Sequence, residues 1–342
     1  VIRPAFAWRS GRPGEWVLLS WVVPFFLVTG WFEVKFPRYL LPIYPVLCLW
    51  AAEWLVRQAR SGVVWRRVLL LAVVVGNALA VLAFVSIYTR PHTVRTASEW
   101  FYRNVPAGAK VLSQDWDEGF PFPLPGFSPN RYHIVTFSYY EPDSSAKIQR
   151  LARELASADY IVFQTKRLYG AVTRAPEKFP HTTNYFYQLF AGDLGYTLIE
   201  EFASRPSLFG WQAPDELADE SFTVYDHPKV LVFQNTGRLS EAELFDRILH
   251  RPPSRPLTRN DILLAKPSRE GVLGASGPER IRSSILALVL FAALVEMLGL
   301  SLYPLVRHWM VRPGTLGLAK PLGVLLFAYT AWILAGFRIA PF

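Results

Sequence analysis

Five stretches of the chain are continuously apolar over roughly the length needed to cross a bilayer, about 20 residues in helical form. They cover residues 16–32, 39–56, 68–88, 283–306 and 321–337. The first and last are short, and the second carries Pro42, Pro45 and Glu53. Between them, from about residue 89 to 280, the pattern changes. "TVRTASEWFYRNVP" has helical periodicity and closes at Pro106, "AKVLSQDW" reads as a strand, and "SSAKIQRLARELASA" is amphipathic with Ser144 or Ser145 at its start. "DYIVFQT" reads as a buried strand, "TTNYFYQLFAGDLG" as a helix ending in glycines, and "YTLIEEFAS" as a strand. "SFTVYD" and "KVLVFQN" are expected as two strands joined in hairpin fashion at His227-Pro228. "LSEAELFDRILH" adds a helix in which Ser240 and Glu243 match a capping box.

The pattern therefore predicts a polytopic α-helical membrane protein with an inserted extracytoplasmic α/β domain. Three helices occupy residues 1–88, the α/β domain 89–250, a linker rich in Pro, Arg, Ser and Gly 251–280, and two further helices 281–342. Orientation follows from the short basic loops. Arg57, Arg60, Arg66 and Arg67 lie in one, and Arg307, Arg312 and Lys320 in another, without an acid in either. Both are expected in the cytoplasm, which puts residues 89–280 outside the cytoplasmic membrane.

Composition agrees with partial immersion in lipid: of 342 residues, 51% are hydrophobic and 15% aromatic, and mean hydropathy is positive. The net charge of +9 does not indicate a nucleic-acid partner, because many of the basic residues flank apolar runs instead of forming one soluble face. Cys48 is the sole cysteine, so neither a disulfide within the chain nor a cysteine-based zinc site is available. The chain starts at Val1 and is read as a fragment lacking its natural beginning.

Two groups of residues carry candidate chemistry. In "EVKFPRYLLPIYP", Lys35 and Arg38 stand beside an apolar run at the expected outer face, with Tyr39 next to them. A guanidinium there has the geometry to grip a lipid phosphate, such as that of a polyprenyl-phosphate sugar. The plainer alternative is that both cations anchor the helix at the interface. In "QDWDEGFPFPLPG", Asp115, Asp117 and Glu118 follow a strand, where carboxylates can collect sugar hydroxyls or a divalent cation. Asp115-Trp116-Asp117 also has the D-x-D spacing of metal-dependent transferases, and a solvated acidic turn is the alternative. The histidines are scattered without zinc spacing, and phosphate-loop, dinucleotide and nucleophile-elbow motifs are absent.

"KFPRYLLPIYPVLCLWAAEWL" resembles the late transmembrane segment of GT-C glycosyltransferases of the dolichyl-phosphate-mannose protein mannosyltransferase type. "ASEWFYRNVPAGAKVLSQDWDEGFP", "LYGAVTRAPEKFPHTTNYFYQLFAGDLGY" and "ESFTVYDHPKVLVFQ" resemble the extracytoplasmic domain that follows in bacterial members. "ALVEMLGLSLYPLV" and "AKPLGVLLFAYTAWILAGF" resemble the opening of the uncharacterised YYY-type membrane family. The resemblance implies transfer of a sugar from a polyprenyl-phosphate donor to an external glycan or protein acceptor. It implies lipid-phosphate binding by Arg38, Lys35 and Tyr39. No catalytic residue of this chain is implied, since the family's acidic loop has no counterpart here. The alternative class is a non-catalytic membrane protein whose external domain binds glycan or a partner protein.

Overall fold

A computed structural model describes residues 13–32 and 36–263, with seven further positions between 293 and 304. The chain divides into two compact units, Val1–Gly274 and Ala275–Phe342. In the second, Ala293, Glu296, Met297, Leu300 and Ser301 are helical. The expected membrane runs at 283–306 and 321–337 otherwise lie outside the described residues.

The first unit begins with three apolar helices: α1 (Pro13–Trp31), α2 (Tyr44–Ala59) and α3 (Val64–Val85). Pro24 sits within α1, and a 3₁₀ turn at Pro37–Leu40 precedes α2. Sequence patterning leads to an expectation of several crossings. Among the described residues one stretch, Val64–Asn104, is long and apolar enough to span a membrane, and Glu15–Trp31 is apolar but shorter. The outward positions of α3, among them Val64, Val68, Leu71, Val74, Val81 and Leu82, are exposed. A core helix of a soluble protein would bury such a face, so lipid is the environment that suits α3.

A 3₁₀ turn (Ser86–Thr89) leads from α3 into α4 (Thr93–Asn104) and the α/β domain. The domain continues through β1 (Lys110–Gln114), β2 (His133–Phe137), α5 (Ser145–Ser157), β3 (Tyr160–Phe163), α6 (Arg167–Val172), α7 (Pro180–Ala191) and β4 (Tyr196–Phe202). It closes with β5 (Ser207–Leu208), β6 (Trp211–Gln212), α8 (Glu220–Thr223), β7 (Val230–Asn235), α9 (Glu241–His250) and α10 (Arg259–Leu263). Five strands form one mixed sheet in the order β2-β1-β3-β7-β4. β1 pairs in parallel with both β2 and β3, while β7 runs antiparallel between β3 and β4.

Alternation along the buried strands divides the core between the two faces. Leu112, Ile161, Phe163, Leu231 and Phe233 pack with side chains of α5, α6, α7, α9 and α10. Val111, Val162, Val230 and Val232 pack on the other face with Val94, Ala97 and Phe101 of α4 and with Phe120 and Tyr132. Because both faces are covered, "YIVF" and "VLVF" are continuously apolar instead of alternating with polar residues.

The expected start of α5 is explained by Ser144, whose hydroxyl accepts from the Lys147 amide at 3.2 Å. Lys147 itself is only 1% exposed at its side chain. Its ammonium reaches Asp143 Oδ1 at 3.0 Å, the Tyr139 and Glu141 carbonyls at 2.7 and 2.9 Å, and Thr182 Oγ1 at 2.7 Å. Asp143 Oδ2 accepts from the amides of His181 and Thr182 at the start of α7. One satisfied ion pair thus ties α5 to α7, which a buried pair must do with full hydrogen bonding to offset its desolvation.

Two expectations change. "SFTVYD" is not a strand: Asp219 caps α8 by accepting from the Ser221 amide at 2.9 Å, and β7 pairs with β3 and β4 instead of forming a hairpin with it. The beginning of the expected linker belongs to the domain, for α10 buries Ile262 and Leu263 against the core. A soluble fragment spanning residues 91–263 should therefore unfold cooperatively. A fragment ending at residue 250 should be less stable by roughly 3–6 kcal/mol, the worth of two buried aliphatic side chains; urea unfolding of the two fragments measures the difference.

Candidate functional site

The connection leaving β1 runs outward to β2, and the one leaving β3 runs the other way, through α6 and α7 to β4. In open sheets of this kind such a reversal leaves a crevice at the carboxyl ends of the two strands, and ligands bind there. The residues directly beyond those ends are Asp115–Glu118 and Gln164–Arg167. Of these, Trp116, Asp117, Glu118, Gln164, Thr165 and Arg167 line a cleft of about 280 Å³ together with His92, Tyr225 and Phe122. That volume is at the small end of ligand pockets, ~300–1,000 Å³.

Asp117 lies at the centre, its side chain 5% exposed. Thr165 Oγ1 donates to Oδ2 at 3.0 Å, the Gln114 side-chain amide donates to the same oxygen, and Arg167 Nη1 stands 3.5 Å from Oδ1. The Thr165 hydroxyl also accepts from the Arg167 amide at 3.1 Å, so the turn after β3 is built around this hydroxyl. Arg167 divides its charge between Asp117 and Glu220 of α8, 3.6 Å from its Nε, and donates from Nη1 to the Trp116 carbonyl. Its guanidinium lies 5.8 Å from the centre of the Tyr225 ring. The 14% exposed Arg167 side chain is therefore a fixed positive centre between two carboxylates. Both carboxylates are pushed up by burial. Asp117 rises to about 6, with Thr165 and Arg167 opposing the shift and Glu220 and Asp115 adding to it. Glu220 is raised by burial while Arg167 and Arg38 oppose the rise.

Aromatic surfaces border this polar centre. Trp116 is exposed and adopts φ +72°, a left-handed conformation costly for a bulky residue, and its ring meets Tyr140 edge to face at 5.8 Å. Burial drives the Tyr140 hydroxyl up to about 12, so it stays a neutral donor, here to the Arg167 carbonyl at 3.3 Å. Tyr225 is exposed on the opposite side. Flat apolar faces beside fixed carboxylate and guanidinium groups suit a ligand with one apolar face and a rim of hydroxyls.

Of the expected pocket residues, Asp117 and Glu118 line the cleft. Asp115 turns toward β2, where Ser138 donates to its Oδ2 at 2.6 Å. The two aspartates of the D-x-D triplet are thus held by different neighbours, and among the described residues no three His, Cys, Asp or Glu side chains are grouped to hold a metal ion. Asp117 already has a guanidinium as its cationic partner, so the divalent cation anticipated from spacing has no ready set of ligands in this cleft. Lys35 lies outside the described residues. Arg38 is exposed in the 3₁₀ turn before α2, 4.1 Å above the Phe36 ring, and Tyr39 meets Phe32 and Phe36 edge to face. Arg38 does not line the cleft, but its charge is felt at Glu220.

Gln114, Gln164, Thr165, Arg167, Glu220 and Tyr225 carry the site without having been anticipated. The available signal was "QTKR", a polar run directly after the apolar strand "YIVF" and parallel to "QDWDE" after β1. A second space of about 20 Å³ beside Lys166, Tyr169, Ser204, Glu216 and His227 is water-sized and too small for a substrate. No protein-family model, curated protein or solved structure matches this chain.

The Asp117 carboxyl binds its proton more tightly folded than unfolded. Its favourable contribution is full below its ordinary 3.8 and is lost as pH rises through about 6. Asp117→Asn, which keeps the site neutral, should gain stability relative to the parent between about pH 4 and pH 8, by on the order of 1–3 kcal/mol. Denaturant titrations across that range measure the change, and a difference independent of pH would contradict the assignment.

Proposed function

We propose that this chain is part of a polytopic membrane glycosyltransferase that transfers a sugar from a polyprenyl-phosphate donor to a glycan or protein acceptor outside the cytoplasmic membrane. The observation that carries the reading is electrostatic. Arg167 stands between Asp117 and Glu220 in a cleft bordered by the exposed rings of Trp116 and Tyr225, and Arg38, exposed just before α2, is among the cations that oppose the rise of Glu220. A lipid-linked sugar has the same two parts, a phosphate at the membrane surface and a ring beyond it.

In this reading Arg38, with Lys35 and Tyr39, holds the phosphate, and a guanidinium suits the task because its planar fork matches two phosphate oxygens. Cationic groups there would stabilise the charge that develops on the departing phosphate. Asp117, Glu118 and Arg167 orient hydroxyls while Trp116 and Tyr225 face the ring. No base is assigned within this chain: Asp117 already accepts from Thr165 and Gln114 and is paired with Arg167, an arrangement suited to holding a group in place. The same fact favours a second reading, in which the external domain binds a glycan or partner protein without catalysis. The arginines at the adjoining ends of α2 and α3 and in the turn between them, Arg57, Arg60, Arg66 and Arg67, support placing that turn in the cytoplasm and the cleft outside.

Binding of a polyprenyl phosphate to the full-length protein tests the clamp. Arg38→Ala should weaken it about ten- to hundredfold, the equivalent of roughly 1.5–3 kcal/mol for a charged hydrogen bond. Arg38→Lys should fail nearly as badly, since it keeps the charge and loses the fork. Unchanged affinity in both would remove the proposed role. Orientation is tested separately: with Cys48 replaced, cysteines at positions 61 and 240 should label from opposite sides of the membrane, and labelling of both by an impermeant reagent in intact cells would overturn the assignment.

A further inference from the structure

β5 and β6 form a two-residue hairpin whose turn is Phe209-Gly210, with Ser207 opposite Gln212 and Leu208 opposite Trp211. Both turn residues have positive φ, +51° for Phe209 and +86° for Gly210. Tight hairpins require this, and the first position ordinarily takes Asn, Asp or Gly. Phenylalanine there meets a steric cost that an asparagine would avoid. Its ring is nevertheless 95% exposed, and that of Trp211 63%. A strained backbone that presents a bare aromatic ring to the surroundings has no explanation in the packing of the domain.

The base of the hairpin explains where these rings lie. The Ser207 amide donates to Ser86 Oγ at 2.9 Å, and Arg90 donates from Nη1 to the Arg205 carbonyl at 3.2 Å and from Nη2 to the Ser207 hydroxyl. Ser86 and Arg90 flank the end of α3, the helix whose exposed apolar face suits lipid. Tyr88, between them, is exposed at the same level and bonded to Asp226. The hairpin is therefore held against the point where the apolar surface of α3 gives way to the polar domain. Membrane proteins place Trp and Tyr at that depth, where a ring finds apolar surroundings and its polar edge finds water.

We propose that the Ser207–Gln212 hairpin is an interfacial anchor: Phe209 enters the outer acyl boundary of the bilayer and Trp211 lies in its headgroup layer. The occupant of this aromatic surface is lipid, because the surface continues that of α3. The inference rests on the reading of α3 as a membrane crossing. Its function would be to fix the tilt of the domain, and so the height of the cleft above the membrane.

The test uses the full chain with Cys48→Ser, reconstituted in phosphatidylcholine vesicles. An environment-sensitive fluorophore is placed on Phe209→Cys or Trp211→Cys, with Asn130→Cys on the exposed domain surface as reference. Position 209 should emit at shorter wavelength than position 130, be quenched by lipids carrying a nitroxide high on the acyl chain, and resist aqueous iodide. Position 211 should show intermediate behaviour. Vesicle flotation with water-like emission and full iodide quenching at 209 overturns the anchor while leaving the crossing by α3 intact, and identifies the rings as a surface for another protein. Failure of the unlabelled chain to float with the vesicles overturns both.

Discussion

The C-terminal end of α3 is fastened to the α/β domain, and the position of everything beyond depends on that joint. Phe84 packs 5.2 Å from Phe222 and 6.0 Å from His227, Ser86 accepts from the Ser207 amide, and Tyr88 reaches Asp226. These four contacts, from the last turn of α3 and the 3₁₀ turn that follows it, fasten the helix end to the domain. His227 completes the joint from within: it is buried, and its Nε2 lies 2.7 Å from Asp215 Oδ2. Arg205 and Lys229 converge on Glu216 just behind it. A buried polar assembly of this kind costs desolvation and tolerates few alternative arrangements, so it favours one geometry over many. The same segment that makes the joint, 215–227, also carries Glu220 and Tyr225 to the cleft.

The cleft works by a related balance. Arg167 is almost enclosed, and a single buried cation would be expelled toward water. Asp117 on one side and Glu220 on the other compensate it, while burial raises the proton affinity of both acids. Arg38, more distant and solvated, adds positive charge on the Glu220 side.

Local signals determined much of this protein. Period-2 and period-3.6 apolar patterns located most strands and helices of the domain, and Ser144 and Ser240 marked helix starts because capping is an interaction within one turn. The apolar runs located α1, α2 and α3, and their basic flanks carried an orientation. "SFTVYD" misled because its β-branched and aromatic residues favour a strand locally, whereas Asp219 starts a helix and β7, its expected hairpin partner, is already paired on both sides by β3 and β4. β2 was missed in "NRYHIVTF", where half-buried positions give an edge strand a faint pattern.

Tertiary structure alone decided the site. Nothing in the sequence near Asp117 names Arg167 or Glu220 as partners, which lie 50 and 103 positions further along; strand order brings β1 beside β3, and the joint to α3 brings α8 over both. The sequence carried an acidic turn and, separately, a polar run after a buried strand, but whether carboxylates bind a metal, a sugar or a neighbouring guanidinium depends on what faces them across space. The same holds for Arg38, whose charge and aromatic neighbours were legible, while its standing among the cations that oppose the rise of Glu220 depends on the fold. Residue type and periodicity set which elements form, because those preferences act over a few neighbouring positions. Charge pairing and burial act across the fold, and only the packed chain determined them.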